Sequence, residues 1–81
     1  MTFQLSVLAI DREVFKGGAV SLTVPGREGE LQVLAGHTSL ISLLKEGNLI
    51  VKKENNQQET FPIGGGVLEV KGKEVVALVN F

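Results

Sequence analysis

Apolar and polar side chains alternate along much of this chain, with the period of two that is typical of β-strands buried on one face. Phe3, Leu5 and Val7 show the alternation first, separated by Gln4 and Ser6. We therefore expect the apolar positions of several such segments to meet in one core. The predicted core consists of Phe3, Leu5, Val7, Val20, Leu22, Val24, Leu31, Val33, Leu49, Val51, Phe61, Leu68 and Val70.

Glycine, proline and asparagine divide these segments at intervals of about 6–10 residues, the spacing expected of short strands joined by turns. Hairpins are predicted at Asn55-Asn56 and through residues 71–73. The run from Val75 to Val79 is apolar on both faces, which indicates a strand that is central in its sheet or covered by a partner.

The stretch between Gly36 and Gly47 is ambiguous. Leu40, Ile41, Leu43 and Leu44 fit the apolar face of one helical turn, and they also fit a short strand. The pattern alone leaves both alternatives open.

Composition supports strands and excludes several classes of protein. Val, Ile and Thr together make up 19 of the 81 residues, and these β-branched residues favour strands. The chain has no cysteine, and its formal net charge is −1 without a basic cluster, which argues against nucleic-acid binding. No apolar run approaches the ~18 residues of a membrane-spanning helix, and residues 1–10 do not resemble a secretory signal.

Candidate catalytic chemistry is sparse. His37 is the only histidine and has no neighbouring nucleophile, so neither a catalytic triad nor a histidine metal site is expected. The three glycines at 64–66 lack the lysine of a phosphate-binding loop and indicate close backbone packing or a bulge. Glu28 and Glu30, beside Arg27, are more typical of a solvated turn than of a catalytic pair.

A carrier domain of the lipoyl or biotinyl type is the alternative from another class, since those modules are also small β-sandwiches. Such a domain presents one lysine at a hairpin tip. Here Lys71 and Lys73 flank Gly72 without the companion residues of a modification site. The residues by themselves therefore predict a small all-β binding module, and a free-standing binding or carrier module stays open as the second hypothesis.

Three ordered motifs carry a more specific resemblance. They are D-R-E-V-F-K-G at 11–17, V-P-G-R-E-G-E-L-Q-V-L-A-G-H-T-S-L at 24–40 and F-P-I-G-G-G-V-L-E-V at 61–70. In this order and spacing they closely resemble the N-terminal domain of the epsilon subunit of rotary proton-translocating ATP synthases. The resemblance runs from Thr2 to Val79, with departures at Ala35 and Ser39, where the family often has proline, and at Gln32, where it often has glycine.

The resemblance implies an all-β fold, a flattened two-sheet β-sandwich of about eight to ten short strands, with residues 1–81 forming a single domain. Longer family members continue into a two-helix C-terminal domain, which is absent from this sequence. It also implies a non-catalytic rotor subunit without cofactor or metal, which couples the membrane ring to the gamma subunit during proton-driven ATP synthesis. Its expected place is the cytoplasmic face of the plasma membrane, held there only through the complex.

The resemblance further assigns two candidate interfaces. His37, Thr38 and Leu40 match the stretch that faces the gamma subunit, whereas Arg27, Glu28 and Glu30 match the loop that faces the membrane c-subunit ring. These six residues are the predicted functional positions of the chain.

Overall fold

A computed structural model describes residues 1–36 and 38–81, so His37 lies outside the described residues. Within these ranges the regular structure consists of nine strands and no helix, which confirms the predicted all-β class. None of the described segments is a helix long and apolar enough to cross a membrane. The strands are β1 (Phe3–Leu8), β2 (Glu13–Ala19), β3 (Ser21–Gly26), β4 (Gly29–Leu34), β5 (Leu40–Leu44), β6 (Gly47–Lys52), β7 (Gln58–Ile63), β8 (Gly65–Lys71) and β9 (Glu74–Asn80).

The strands form one curled sheet in the order β2-β1-β9-β8-β5-β3-β6-β7, with β4 paired to the free side of β3. β5 and β3 meet only at the pair Leu44 and Gly26, so the sheet folds over at this corner into two layers. We call β2-β1-β9-β8-β5 the first sheet and β4-β3-β6-β7 the second sheet. Principal extents of 29 × 23 × 19 Å agree with the flattened sandwich predicted from the sequence.

Apolar side chains fill the space between the two sheets. Most of the predicted core is buried, and Leu31 and Phe61 pack against it while staying partly exposed. Val20 is an exception, because it lies in the link between β2 and β3, where its N–H donates to the carbonyl of Lys52 (2.7 Å) and its side chain is only half-buried. The buried core consists of Phe3, Leu5, Val7, Ala19, Leu22, Val24, Val33, Leu44, Leu49, Val51, Ile63, Leu68, Val70, Val75, Ala77 and Val79.

The segments that the sequence left open are also resolved. Leu40–Leu44 is a strand because it pairs with β8 along its whole length. The predicted hairpins join β6 to β7 and β8 to β9. The valine-rich run of β9 is central, between β8 and β1, and β9 runs parallel to β1.

One side of the sandwich is closed by side chains from its two edge strands. The rings of Phe15 on β2 and Phe61 on β7 lie 6.0 Å apart, a distance typical of favourable aromatic pairs. Lys53 lies over the Phe15 ring and forms a salt bridge with Glu59. This side is therefore covered, whereas the opposite side is formed by the β3–β4 hairpin.

Burial predicts the cost of core truncation. Leu49→Ala removes a fully buried side chain from the second sheet, so we expect a loss of about 2–5 kcal/mol in the free energy of unfolding. Ile41→Ala, at a position 71% exposed, should change it by less than about 0.5 kcal/mol. Urea unfolding of both variants measures the difference, and equal losses would contradict the assigned core.

Close backbone packing predicts a second effect, at Gly66. Its φ is +153°, and a Cβ there would lie 2.1 Å from the Leu78 carbonyl oxygen and 2.9 Å from Val79 Cα. Gly66→Ala should therefore destabilise the fold by roughly 2 kcal/mol or more. Gly18→Ala, with open space around its Cβ, is the matched control and should be almost neutral in thermal unfolding.

Candidate docking surfaces

The strand pairing places the turns at two opposite ends of the sandwich. One end carries Arg27-Glu28, Lys45-Glu46, Gly64 and the last residue of β9; we call it the Glu28 end. The other end carries the turn at residues 53–57, the turn at 72–73 and the segments 35–36 and 38–39; we call it the Thr38 end. The two predicted interfaces thus lie toward opposite ends of the molecule.

The charged trio of the Glu28 end sits on a backbone that is held firmly. Arg27 and Glu28 form the turn between β3 and β4, and Glu30 is the second residue of β4. The Arg27 N–H donates to the Leu43 carbonyl (2.9 Å), and the Lys45 N–H donates to the Pro25 carbonyl (2.8 Å). These two bonds tie the turn to the end of β5.

All three side chains of the trio are exposed, and none takes part in an ion pair with another described residue. Lys45 and Glu46 in the adjacent turn are exposed as well. The Glu28 end therefore presents both signs of charge to solvent, and an exposed carboxylate there can pair with an external cation without first breaking an internal salt bridge.

Of the residues predicted to face gamma, Thr38 precedes β5 and Leu40 is the first residue of that strand. Thr38 is exposed, and Leu40 is half-buried and packs against the core. His37 is outside the described residues. The next residue, Ile41, points the other way and is 71% exposed. Leu40 thus stabilises the sandwich, and the larger apolar surface at this strand belongs to its neighbours.

An apolar band crosses the outer face of the first sheet. Leu43 on β5 lies opposite Val67 on β8, Val67 lies opposite Leu78 on β9, and Leu78 lies beside Leu8 on β1. Directly paired residues project from the same face, so these side chains form a continuous row. Leu43 and Leu78 are 51% and 54% exposed. With Ile41 and Val76 on the adjacent row, the apolar band consists of Leu8, Ile41, Leu43, Val67, Val76 and Leu78.

The apolar band carries little free charge. Glu69 lies between Ile41 and Val76 in the pairing, and its carboxylate is 3.8 Å from the Lys71 ammonium. A contiguous apolar patch, with Glu69 paired in this way and Glu13 at its margin opposite Leu8, is typical of a protein–protein contact. The runs at 40–44 and 75–79 hinted at this surface, but only the register of β5, β8, β9 and β1 shows that their exposed residues join.

The described part of the chain gives little support for a binding site for a small ligand or a metal ion. No pocket and no cluster of three metal-ligating side chains occurs in residues 1–36 and 38–81. Of the lysines considered for a carrier role, Lys71 lies 3.8 Å from the Glu69 carboxylate and Lys73 is exposed. The surfaces described above are those of a small β-sandwich with an exposed apolar face and an exposed charged turn.

The chain belongs to the family described as the beta-sandwich domain of the ATP synthase Delta/Epsilon chain, which matches residues 2–81. It is 43% identical over 77 residues to an ATP synthase epsilon chain of Sulfurimonas denitrificans, covering 95% of this chain and 59% of that protein. The epsilon chain of Psychrobacter arcticus is 39% identical over 79 residues, covering 98% and 57%. This chain therefore spans somewhat more than half the length of these curated relatives.

Solved structures agree in fold. A chain of the Euglena gracilis mitochondrial ATP synthase, solved with OSCP, F1 and the c-ring, matches with a TM-score of 0.91 at 26% identity, over 96% of this chain and 50% of that one. A chain from the central stalk and c-ring of the Tetrahymena thermophila enzyme matches with a TM-score of 0.81 at 15% identity, over 100% and 65%. The latter match supports the fold alone.

Proposed function

We propose that this chain is a non-catalytic central-stalk subunit of ATP synthase, or the sandwich domain of one, which couples the membrane ring to the gamma subunit during proton-driven ATP synthesis. The observation that carries the proposal is the arrangement on β5. This strand contributes Ile41 and Leu43 to the apolar band, and the Leu43 carbonyl binds the charged turn of the Glu28 end. One short strand thus joins two surfaces of different chemistry.

The apolar band is the proposed contact with gamma. The four strands that carry it, about 4.8 Å apart and about six residues long, cover roughly 20 × 20 Å in projection, enough for much of the ~800 Å² that one partner buries in a stable interface. His37, Thr38 and Leu40 belong to the same proposed contact, although the Leu40 side chain packs against the core. A partner with apolar side chains fits it because the interior of an interface is depleted of charge.

The Glu28 end is the proposed contact with the membrane ring. Arg27, Glu28 and Glu30 are exposed and form no ion pair with the rest of the described chain, so they suit the polar loops of ring subunits rather than an apolar surface. The chain would then reside on the cytoplasmic face of the plasma membrane, attached only through its two protein contacts.

Rigidity between the two contacts supports a mechanical role. A load applied at Glu28 passes through the hydrogen bonds of Arg27 and Lys45 into β5, and from there into a strand paired along its whole length with β8. Such a path transmits torque with little deformation, because a packed sandwich is much stiffer than a loop.

The gamma contact can be tested with Leu78→Asp and Leu43→Asp. A carboxylate in the apolar band should weaken the complex with gamma by roughly 2 kcal/mol, or about 30-fold, because it would be buried without a partner. Leu34→Asp places the same charge at a leucine of equal exposure on β4 and serves as the control. Gamma pull-down and titration measure the affinities, and circular dichroism verifies the fold. Wild-type affinity in both band variants would exclude this surface.

The ring contact predicts a functional effect of charge reversal at the Glu28 end. Glu28→Lys or Glu30→Lys alone should be mild, since an exposed pair contributes about 0–1 kcal/mol, whereas the double variant should uncouple ATP turnover from proton pumping. The double variant Glu54→Lys, Glu74→Lys makes the same change of charge at exposed positions of the Thr38 end. Proton pumping by reconstituted enzyme at low ionic strength is the readout. Equal pumping by both double variants would contradict the assignment.

A further inference from the structure

The outer edge of β4 presents backbone groups that no other described strand pairs. β3 is the sole partner of β4 among the strands of residues 1–36 and 38–81. On its other side, β3 binds β5 through the Pro25 carbonyl and the Arg27 N–H. Odd-numbered residues of β3 therefore direct their hydrogen-bonding groups away from β4, and even-numbered residues direct theirs toward it.

The register between β3 and β4 determines which residues of β4 direct their hydrogen-bonding groups toward β3 and which direct them outward. Leu22 pairs with Val33, and Val24 pairs with Leu31, so Val33 and Leu31 direct their N–H and C=O groups to β3. The residues that alternate with them, Glu30, Gln32 and Leu34, direct theirs outward. Three donors and three acceptors thus line the open edge, evenly spaced over the strand.

Two of the other edge strands, β2 and β7, are protected by features that β4 lacks, whereas β5 is bonded on its second side only at its end. β2 carries Lys16 and opposes a bulge between Val7 and Leu8, and β7 contains Pro62, which has no N–H. Bulges, lysine and proline are the usual means by which edge strands avoid pairing with other chains. The sequence of β4, GELQVL, has none of them, and its register with β3 is regular.

The edge of β4 is also complementary to itself. An antiparallel copy centred on Gln32 places Gln32 opposite its own equivalent and Glu30 opposite Leu34, and all three pairs are of the hydrogen-bonded type. Leu31 then faces Val33 on the core side of the sheet. No like charges are opposed in this register, whereas a register centred on Glu30 would oppose two carboxylates.

We propose that β4 is a self-association edge, through which two copies of this chain pair antiparallel about Gln32 to form one continuous sheet across a two-fold axis. The contact consists of two short strands, so its area lies at the small end of specific interfaces and its dissociation constant should be about 0.1–1 mM. The pairing occupies the outward N–H and C=O groups of Glu30.

Sedimentation equilibrium and NMR diffusion of the chain, from about 20 µM to about 2 mM, test the proposal directly, over concentrations that bracket the expected constant. Gln32→Pro removes an outward N–H and leaves the β3–β4 ladder intact, because Gln32 does not donate to β3; it should weaken dimerisation at least tenfold. Gln32→Ala keeps the backbone groups and should dimerise like the wild type. A monomer at about 2 mM, or a dimer that both substitutions leave unchanged, would overturn the proposal.

A single cysteine provides a second test that does not depend on the stability of the proline variant. The chain has no cysteine, so Gln32→Cys places one thiol per copy. Hydrogen-bonded antiparallel pairs have Cα atoms about 5.5 Å apart, which is within the range of a disulfide. We expect Gln32→Cys to form a disulfide dimer under mild oxidation at least tenfold faster than Thr60→Cys, at an exposed position on the β7 edge. Equal rates would contradict pairing through β4.

Discussion

The packing of one apolar face of each sheet against the other is the interaction on which the rest of this structure depends. The chain has no cysteine, so no disulfide holds the layers together. Leucine and valine side chains from both sheets, most of them fully buried, fill the space between them. Burying a side chain of this size contributes about 1.5–3 kcal/mol. The core therefore holds the strands of both sheets in fixed positions, and with them the outer surfaces of the sandwich.

β3 positions two parts of the surface, the charged hairpin and the end of β5. Its even-numbered residues direct their hydrogen-bonding groups to β4, while its odd-numbered residues direct theirs to β6 at one end and, through Pro25, to the end of β5 at the other. The change of partner requires close approach, and Gly47 lies so near Pro25 that a Cβ would be 2.8 Å from the proline ring. The charged hairpin and the end of β5 are thereby held side by side.

Local pattern was sufficient for the strands and most of the core. Alternation at Phe3, Leu5 and Val7 is a property of neighbouring residues, and these three are buried as expected. The pattern failed at Val20, because alternation cannot reveal that a strand has ended one residue earlier. It also left Leu40–Leu44 undecided, since only pairing with β8, some 25 residues away, selects the strand.

The docking surfaces depended even more on distant residues. The charged trio was recognisable from its motif, although its lack of ion pairs with other residues of ranges 1–36 and 38–81 is a property of the folded chain. The apolar band joins residues from β1, β5, β8 and β9, and no local pattern determines the register that aligns Leu43 with Leu78 through Val67. Sequence motifs therefore predicted the charged turn, whereas the apolar band became visible only from the register of the sheet.

The central place of β9 has a consequence for synthesis on the ribosome. β1 is made first but bonds to β9, which is made last and inserts between β1 and β8. Until residue 80 has left the exit tunnel, β1 and β8 are unpaired edges that expose apolar side chains. Domains generally fold as units, and pairing between distant strands is slow. The sheet can therefore close only after all nine strands have emerged.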